Sequence, residues 1–350
     1  MNHVLTKSVV ILGAGASKGA VLTGKLNPPL DAEFLGAARN FFKKKRESAW
    51  RTHHKVWNEL NRYLKKAGLE FDDIQNWRLE QLSTFLEARS ELTGLQMNKG
   101  HPVEYKNALV ALKGVVASVL IQSGGFGVCK LHSRLIERSS PHAIVSFNYD
   151  LIADQTLASL GRLKWDAQTY CGDRVMRVRR NVHRMPVLFE VPRYRGVNSV
   201  PLLKLHGSIN WERLPKSGSG AHRLIGVVPM FDLEDSLEAQ FYTKEPFIIP
   251  PIAAKTEIPE ALSVIWREAM RRLHSATEWI IWGYSFPMTD TISQVLFRSA
   301  LVGHVKPKTV VIINPDYGAA GRAKDVCGNV SIKYYPSMER FLLERQWMQI

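Results

Sequence analysis

The chain has 350 residues, 45% hydrophobic and 23% charged, a balance that excludes a disordered or collagen-like polypeptide and allows a large hydrophobic core. Lys and Arg number 47 against 32 Asp and Glu, a net charge of +15, which permits a polyanionic partner without requiring one. Cys129, Cys171 and Cys327 are far apart and odd in number, so a disulfide framework and a C-x-x-C zinc module are excluded and a reducing compartment is expected. No apolar run reaches the ~18 residues of a membrane helix, and the short run before Gly13 reads as a buried strand rather than a signal peptide. The expectation is a soluble, cytoplasmic protein with no membrane contact.

In chain order, Ser8–Leu12 (SVVIL) is a β-branched run stopped by Gly13, the pattern of a central parallel strand. A long stretch without strand character follows. In it Phe34, Leu35, Ala38, Phe41 and Phe42 recur at helical spacing, as do Val56, Leu60, Tyr63 and Leu64, then Leu79, Leu82, Phe85, Leu86 and Leu92, and a run from Tyr105 to Ile121. Further short apolar runs are Ala143–Phe147, Val200–Leu205, Glu278–Trp282 and Thr309–Ile313. Alternation of this kind predicts an α/β fold: a doubly wound, Rossmann-like parallel sheet in a single domain over 1–350. The sheet is expected to carry a large helical insertion at 39–138 and a smaller, arginine-rich basic insertion at 161–198. The tract Ser217–Gly220 reads as a hairpin or loop tip.

Polar or glycine-bearing clusters close these strands: GAGAS after Leu12, FNYD at 147–150, LHGS at 205–208 and GYSF at 283–286. Such sheets bind ligands at the carboxyl ends of their strands, so four clusters there predict one shared site. In Gly13-Ala14-Gly15-Ala16-Ser17 the glycines allow a tight turn that brings bare N–H groups against a pyrophosphate. Lys18 stands where the dehydrogenase fingerprint has its third glycine, and no acidic residue obviously ends a second strand beyond it, which disfavours a nicotinamide dehydrogenase. The later match Gly19 to Leu26 lacks the Ser or Thr that ligates magnesium in a phosphate loop, which rejects an NTPase. Taken alone, Asn148 or Asp150 reads as the N-cap of a helix from Leu151, and His206 as a core histidine. In company, as four clusters each at a strand end, they read as parts of one site.

The ordered set resembles the sirtuin superfamily. Gly13, Ala14, Gly15 and Ser17 match its G-A-G-x-S turn, Asn148 and Asp150 its Q-N-[IV]-D strand end, His206-Gly207 its catalytic H-G, and Gly283, Ser285 and Phe286 its G-[TS]-S turn. Asn314-Pro315-Asp316 looks like the position that holds the adenine ribose, and Asp31 with Phe34 is a looser match to a proline–aspartate–aromatic segment. Deacylating sirtuins usually carry a four-cysteine zinc module, which three cysteines cannot build. The FNYD and GYSF variants look instead like zinc-less sirtuin-like proteins of bacterial anti-phage defence.

That resemblance implies NAD as substrate, no zinc, and NAD+ hydrolysis to nicotinamide and ADP-ribose once a partner or phage component triggers it. Asn148 and His206 are then the catalytic residues, and Gly13, Ala14, Gly15, Ser17, Asp31, Phe34, Asp150, Gly283, Ser285, Phe286, Asn314 and Asp316 bind the dinucleotide. The alternatives are an NAD-dependent protein deacylase or ADP-ribosyltransferase, and a non-enzymatic NAD or ADP-ribose sensor or scaffold subunit. The expected partners are NAD+, further copies of the chain, and a defence-system ATPase, helicase or nuclease. Nucleic acid is a further expectation from the basic excess, which is concentrated in two windows. Ten Lys/Arg face two Glu from Arg39 to Lys66, and nine face three acidic residues from Gly161 to Arg195.

Overall fold

The structure is a computed structural model that describes residues 7–22, 26–44, 51–95, 102–124, 127–163, 169–170, 175–180, 186–189, 199–213, 225–227, 245–252, 257–303 and 308–346. Its main sheet has six parallel strands: β1 (Ser8–Leu12), β2 (Ala143–Ser146), β5 (Leu202–Lys204), β9 (Glu278–Trp282), β10 (Thr309–Ile313) and β11 (Ser331–Tyr335). They lie in the order β11-β10-β9-β1-β2-β5. Counted within this sheet alone, that is the doubly wound order 3-2-1-4-5-6, with β1 central and the chain reversing direction between β1 and β9. The α/β expectation is met. β1, β9 and β10 span the predicted residues, while β2 and β5 stop short of Phe147 and Leu205 because the chain turns there into the site. β11 escaped the sequence reading: it is an edge strand whose mostly half-exposed SIKYY lacks a continuous apolar run.

All the regular structure described between β1 and β2 is helical. It runs from α1 (Ala14–Lys18) through α2 (Phe34–Lys44), α3 (Arg51–Lys66), α4 (Phe71–Ile74), α5 (Leu79–Leu95) and α6 (Pro102–Gln122) to α7 (Lys130–Ser139). The apolar stripes predicted there are the buried faces: Phe34, Leu35, Ala38 and Phe42 on α2, and Leu60, Tyr63 and Leu64 on α3. On the opposite faces Lys43, Lys44, Lys55, Lys65 and Lys66 are exposed. After β2 comes α8 (Ile152–Ser159), and α9 (Ser263–Ser275), α10 (Thr291–Leu301), α11 (Gly318–Cys327) and α12 (Met338–Gln346) complete the layers around β9–β11.

A second sheet of five strands went unread in the sequence. β3 (Val175–Arg180), β4 (Pro186–Phe189), β6 (Gly207–Arg213), β7 (Ile225–Val227) and β8 (Pro246–Ile248) pair in the order β4-β3-β7-β6-β8. Only β3 and β4 fall in the arginine-rich window, and β6 begins within the LHGS cluster, which therefore joins two sheets rather than closing one strand. The tract Ser217–Gly220, Cys171, and Arg174, Arg184, Arg193 and Arg195 of that window lie outside the described residues.

One buried lysine ties the far end of the main sheet together. Lys308, 2% exposed, donates from Nζ to the carbonyls of Leu273 (2.6 Å), His274 (3.0 Å) and Ala300 (3.4 Å), and lies 5.0 Å from the centroid of the Trp279 ring. It caps the last turns of α9 and α10 at once, where carbonyls lack helical partners and favour a cation. Burial lowers its pKa to about 8. Lys308→Met keeps the stem and removes the donors; Leu273 O retains Trp279 Nε1 (3.0 Å) while His274 O loses the ammonium. The expected cost in urea unfolding is about 1–3 kcal/mol, the usual cost of leaving a buried polar group short of a partner.

Candidate functional site

The carboxyl ends of β10, β9, β1, β2 and β5 are neighbours in the sheet, and side chains or turns from all five are in contact. Gly13 donates its N–H to Trp282 O (3.0 Å) and Gly15 to Gly283 O (2.9 Å), so the GAGAS and GYSF turns pack backbone against backbone. A methyl group on Gly13 would lie 2.5 Å from Tyr284 Cα, and one on Gly15 2.8 Å from Gly283 Cα. Ala16 donates to Gly13 O (2.9 Å). Three N–H groups of the turn are thus spent within the protein. The glycines are required for close packing of two strand ends, a demand beyond the tight turn read from the sequence. Ala14 is the exposed residue of the turn.

Asn148, 8% exposed, reaches across from β2 and donates from Nδ2 to Gly13 O (2.9 Å) and Ser17 Oγ (2.9 Å). Ser17 in turn donates to Asp150 Oδ2 (2.6 Å), and Asp150 Oδ1 accepts from Ile152 N (3.1 Å) at the start of α8. The N-cap position itself is Leu151, one residue later than the cap the sequence allowed; Asp150 instead holds the N–H of the first helical residue and contacts the GAGAS turn through Ser17. Burial raises its pKa, against the lowering effects of the Lys204 charge and the Ser17 and Ile152 hydrogen bonds.

His206 is half-buried and sits among aromatic rings: Phe147 at 5.4 Å, Trp266 at 6.3 Å and Tyr149 at 6.4 Å. Phe147 also stacks on Tyr284 (4.3 Å, 19°), which carries the contact across to β9. The second sheet holds this corner in place. Tyr149 O accepts from Ile209 N (3.0 Å) of β6, Tyr149 OH donates to Ile249 O (2.5 Å), and Ile249 N donates to His206 O (2.9 Å). Burial raises the Tyr149 pKa, and the charges of Asp290 and Asp31 add to the rise.

The remaining predicted residues divide. Gly283 has φ +67 and is wedged against α1, as above. Ser285 is exposed, and its carbonyl accepts from Arg322 Nε (2.6 Å). Asn314 donates to Tyr284 O (3.4 Å) and accepts from Asp316 N (3.0 Å), so it belongs to the same assembly. Asp316 is exposed, accepts from Gly318 N (2.8 Å) and pairs with Arg322 (2.5 Å), whose hydrogen bond holds its carboxyl below the usual range. Asp31 accepts from Glu80 N (3.0 Å) and so tethers the start of α5; burial raises its pKa.

Phe34 and Phe286 are buried in the core, at 3% and 1% exposure. The Phe286 ring packs on Tyr284 (5.0 Å) and Phe297 (5.3 Å), although its φ of +52 marks a backbone conformation that L-residues rarely adopt. The Phe286 ring thus supports the GYSF turn from behind.

Sequence reasoning missed Lys204, Asp154, Tyr170 and Arg322. Lys204 is 1% exposed and pairs with Asp154, itself fully buried, at 2.9 Å. Tyr170 OH donates to the other oxygen of Asp154 (2.6 Å). The available signal was a lysine inside the apolar run VPLLKL, since charged residues are almost never buried unless paired. Among the described residues, no three His, Cys, Asp or Glu side chains are grouped to hold a metal, and no helix is long and apolar enough to cross a membrane.

No protein-family model matches the chain, and no curated protein matches it. Solved structures do. A Sir2 homologue–NAD complex is 11% identical over 99% of this chain and 92% of that one, with a TM-score of 0.44. A structure described as the basis for the mechanism and regulation of Sir2 enzymes is 11% identical over 98% and 93%, with a TM-score of 0.42. Sir2Tm bound to a propionylated peptide is 12% identical over 98% and 93%, with a TM-score of 0.41. At these identities and TM-scores the likeness is one of fold and carries nothing about activity.

Proposed function

We propose that this protein hydrolyses NAD+ to nicotinamide and ADP-ribose. The observation that carries the reading is the convergence of Asn148, His206 and the two glycine turns on the carboxyl ends of neighbouring strands. They meet beside the point where the sheet reverses direction, the place where such sheets take dinucleotides. Cleavage breaks the bond between the anomeric carbon and the nicotinamide nitrogen through an oxocarbenium-like state; nicotinamide leaves neutral and needs no acid. Water adds to the ribose and gives up one proton, which His206 accepts as general base.

Asn148 has both amide hydrogens committed to Gly13 and Ser17, so its role toward a ribose hydroxyl or water is that of an acceptor through Oδ1. The rings around His206 exclude bulk water from one side of it. The same reading makes the enzyme a cytoplasmic anti-phage effector, self-assembled and latent until triggered. The exposed lysines of α2 and α3 are then the surface for nucleic acid or a partner ATPase, helicase or nuclease.

The test is purified protein incubated with NAD+, with and without DNA, with products resolved by chromatography. His206→Ala is expected to lower nicotinamide release at least about 100-fold, the lower range for a general base, with an unchanged melting temperature. Asn148→Ala is expected to do the same while costing about 1–2 kcal/mol, because Gly13 O and Ser17 Oγ lose a donor. Full turnover by folded His206→Ala would falsify the assignment. An acetyl-lysine peptide is expected not to accelerate NAD+ loss; stoichiometric O-acetyl-ADP-ribose would make the protein a deacylase instead.

A further inference from the structure

Lys204 occupies the last position of β5, two residues before His206, and pairs in register with Ser146, the last residue of β2. Its ammonium does two things. It meets Asp154 Oδ2 at 2.9 Å, and it donates to the main-chain carbonyl of Asp150 at 2.5 Å. Charge compensation needs only the first. A buried ion pair is a weak source of stability, because desolvating both charges offsets most of their attraction and apolar residues of similar volume often do as well. The second bond has a geometric consequence. The turn it holds carries Asn148 and Asp150, both of which act on Ser17. The strand end it holds from carries His206. Asp154 is in turn fixed by Tyr170 OH at 2.6 Å, so the clamp is anchored at its far side.

We infer that Lys204 is a positioning residue that locks the Asn148–Asp150 turn to the strand end bearing His206, with Asp154 and Tyr170 as its anchor. The inference rests on the NAD+-hydrolysis reading for its effect on rate, but the clamp itself is a property of the fold. Lys204→Met alone leaves the buried Asp154 carboxylate without its cation, held only by Tyr170 OH, and is a poor test. The double variant Lys204→Met/Asp154→Leu removes both charges and keeps the volume filled.

Full-length double variant and parent are compared by hydrogen–deuterium exchange, NAD+ binding by calorimetry, and nicotinamide release. The expected result is faster amide exchange at 147–152 and 205–209 with β9 and β10 still protected. NAD+ affinity should stay within about threefold while kcat falls about 100-fold, as misplacement of reacting groups produces. A loss of packing alone would not split affinity from kcat in this way. Unchanged exchange in the two segments, or kcat within about threefold of the parent in a folded variant, overturns the inference. A parent protein that releases no nicotinamide would sink the hydrolase reading, and the exchange comparison would still decide the clamp.

Discussion

Alanine at Gly283 is expected to disrupt the junction of β1 and β9 and to unfold the site with it. The backbone there has φ +67, which costs a residue with a Cβ roughly 1–2 kcal/mol. The added methyl would also fall inside contact distance of Ala16 N and Gly15 C, and 2.6 Å from Gly15 Cα. Those atoms are main chain held by the Gly15–Gly283 hydrogen bond, so they cannot swing aside as a flexible side chain would. Overpacking adds about 1–3 kcal/mol, and the expected loss is about 3 kcal/mol or more, a large share of the stability of an ordinary domain. Gly161→Ala is the matched control: φ is +66 and nothing lies within 4 Å of the added methyl. It is expected to cost only about 1 kcal/mol. Denaturant unfolding of the two variants reads the clash as their difference; equal losses would show that the turns are not wedged together.

The second large effect is with acid. His132, 2% exposed on α7, packs 4.4 Å from the Trp282 ring with Nδ1 lacking a hydrogen-bond partner, and burial lowers its pKa from 6.5 to about 3. His53 on α3, hydrogen-bonded to Ser118 Oγ (2.7 Å), is lowered by burial and by neighbouring His54 to about 4. Between pH 6.5 and these values the unfolded chain binds protons that the folded chain refuses. Stability therefore falls as pH drops through that window and is regained as pH rises. At pH 5 each histidine contributes a loss of about 2 kcal/mol, or about 4 kcal/mol together, relative to neutral pH. Asp150 and Asp31 act in the opposite sense, since burial raises their pKa and the folded state holds their protons more tightly as pH falls below those raised values. His132→Leu isolates one contribution: its melting temperature is expected to drop less than the parent's between pH 7 and pH 5. Parallel drops in parent and variant would mean that His132 is not buried neutral. Because Trp282 immediately precedes Gly283, protonation of His132 strikes the same strand end that carries the site.

The parallel strands were legible because a strand covered on both faces must be apolar along its whole length, as SVVIL and TVVII are. The edge strand SIKYY lacks that signature, and the buried strands IGV and PFI, at three residues each, are too short to show it as a run. Their pairing depends on residues far away in the chain, so the second sheet was invisible. Asn148 and His206 could be nominated from the sequence because polar groups ending apolar runs face the ligand side of such a sheet. The use made of GAGAS could not. Whether a turn's N–H groups meet a phosphate or a neighbouring strand end depends on what lies across from them.

The sequence by itself determined the sheet's buried strands, the helical layer between β1 and β2, and the polar clusters at the strand ends, because periodicity and composition are local. Only the tertiary structure decided that β1 and β9 meet through glycines and that Phe286 and Phe34 face inward. It alone placed a lone lysine in an apolar strand against Asp154 and the turn of Asn148. Each of these is a contact between segments far apart in the chain, and a buried charge or a missing Cβ takes its meaning from the partner it meets.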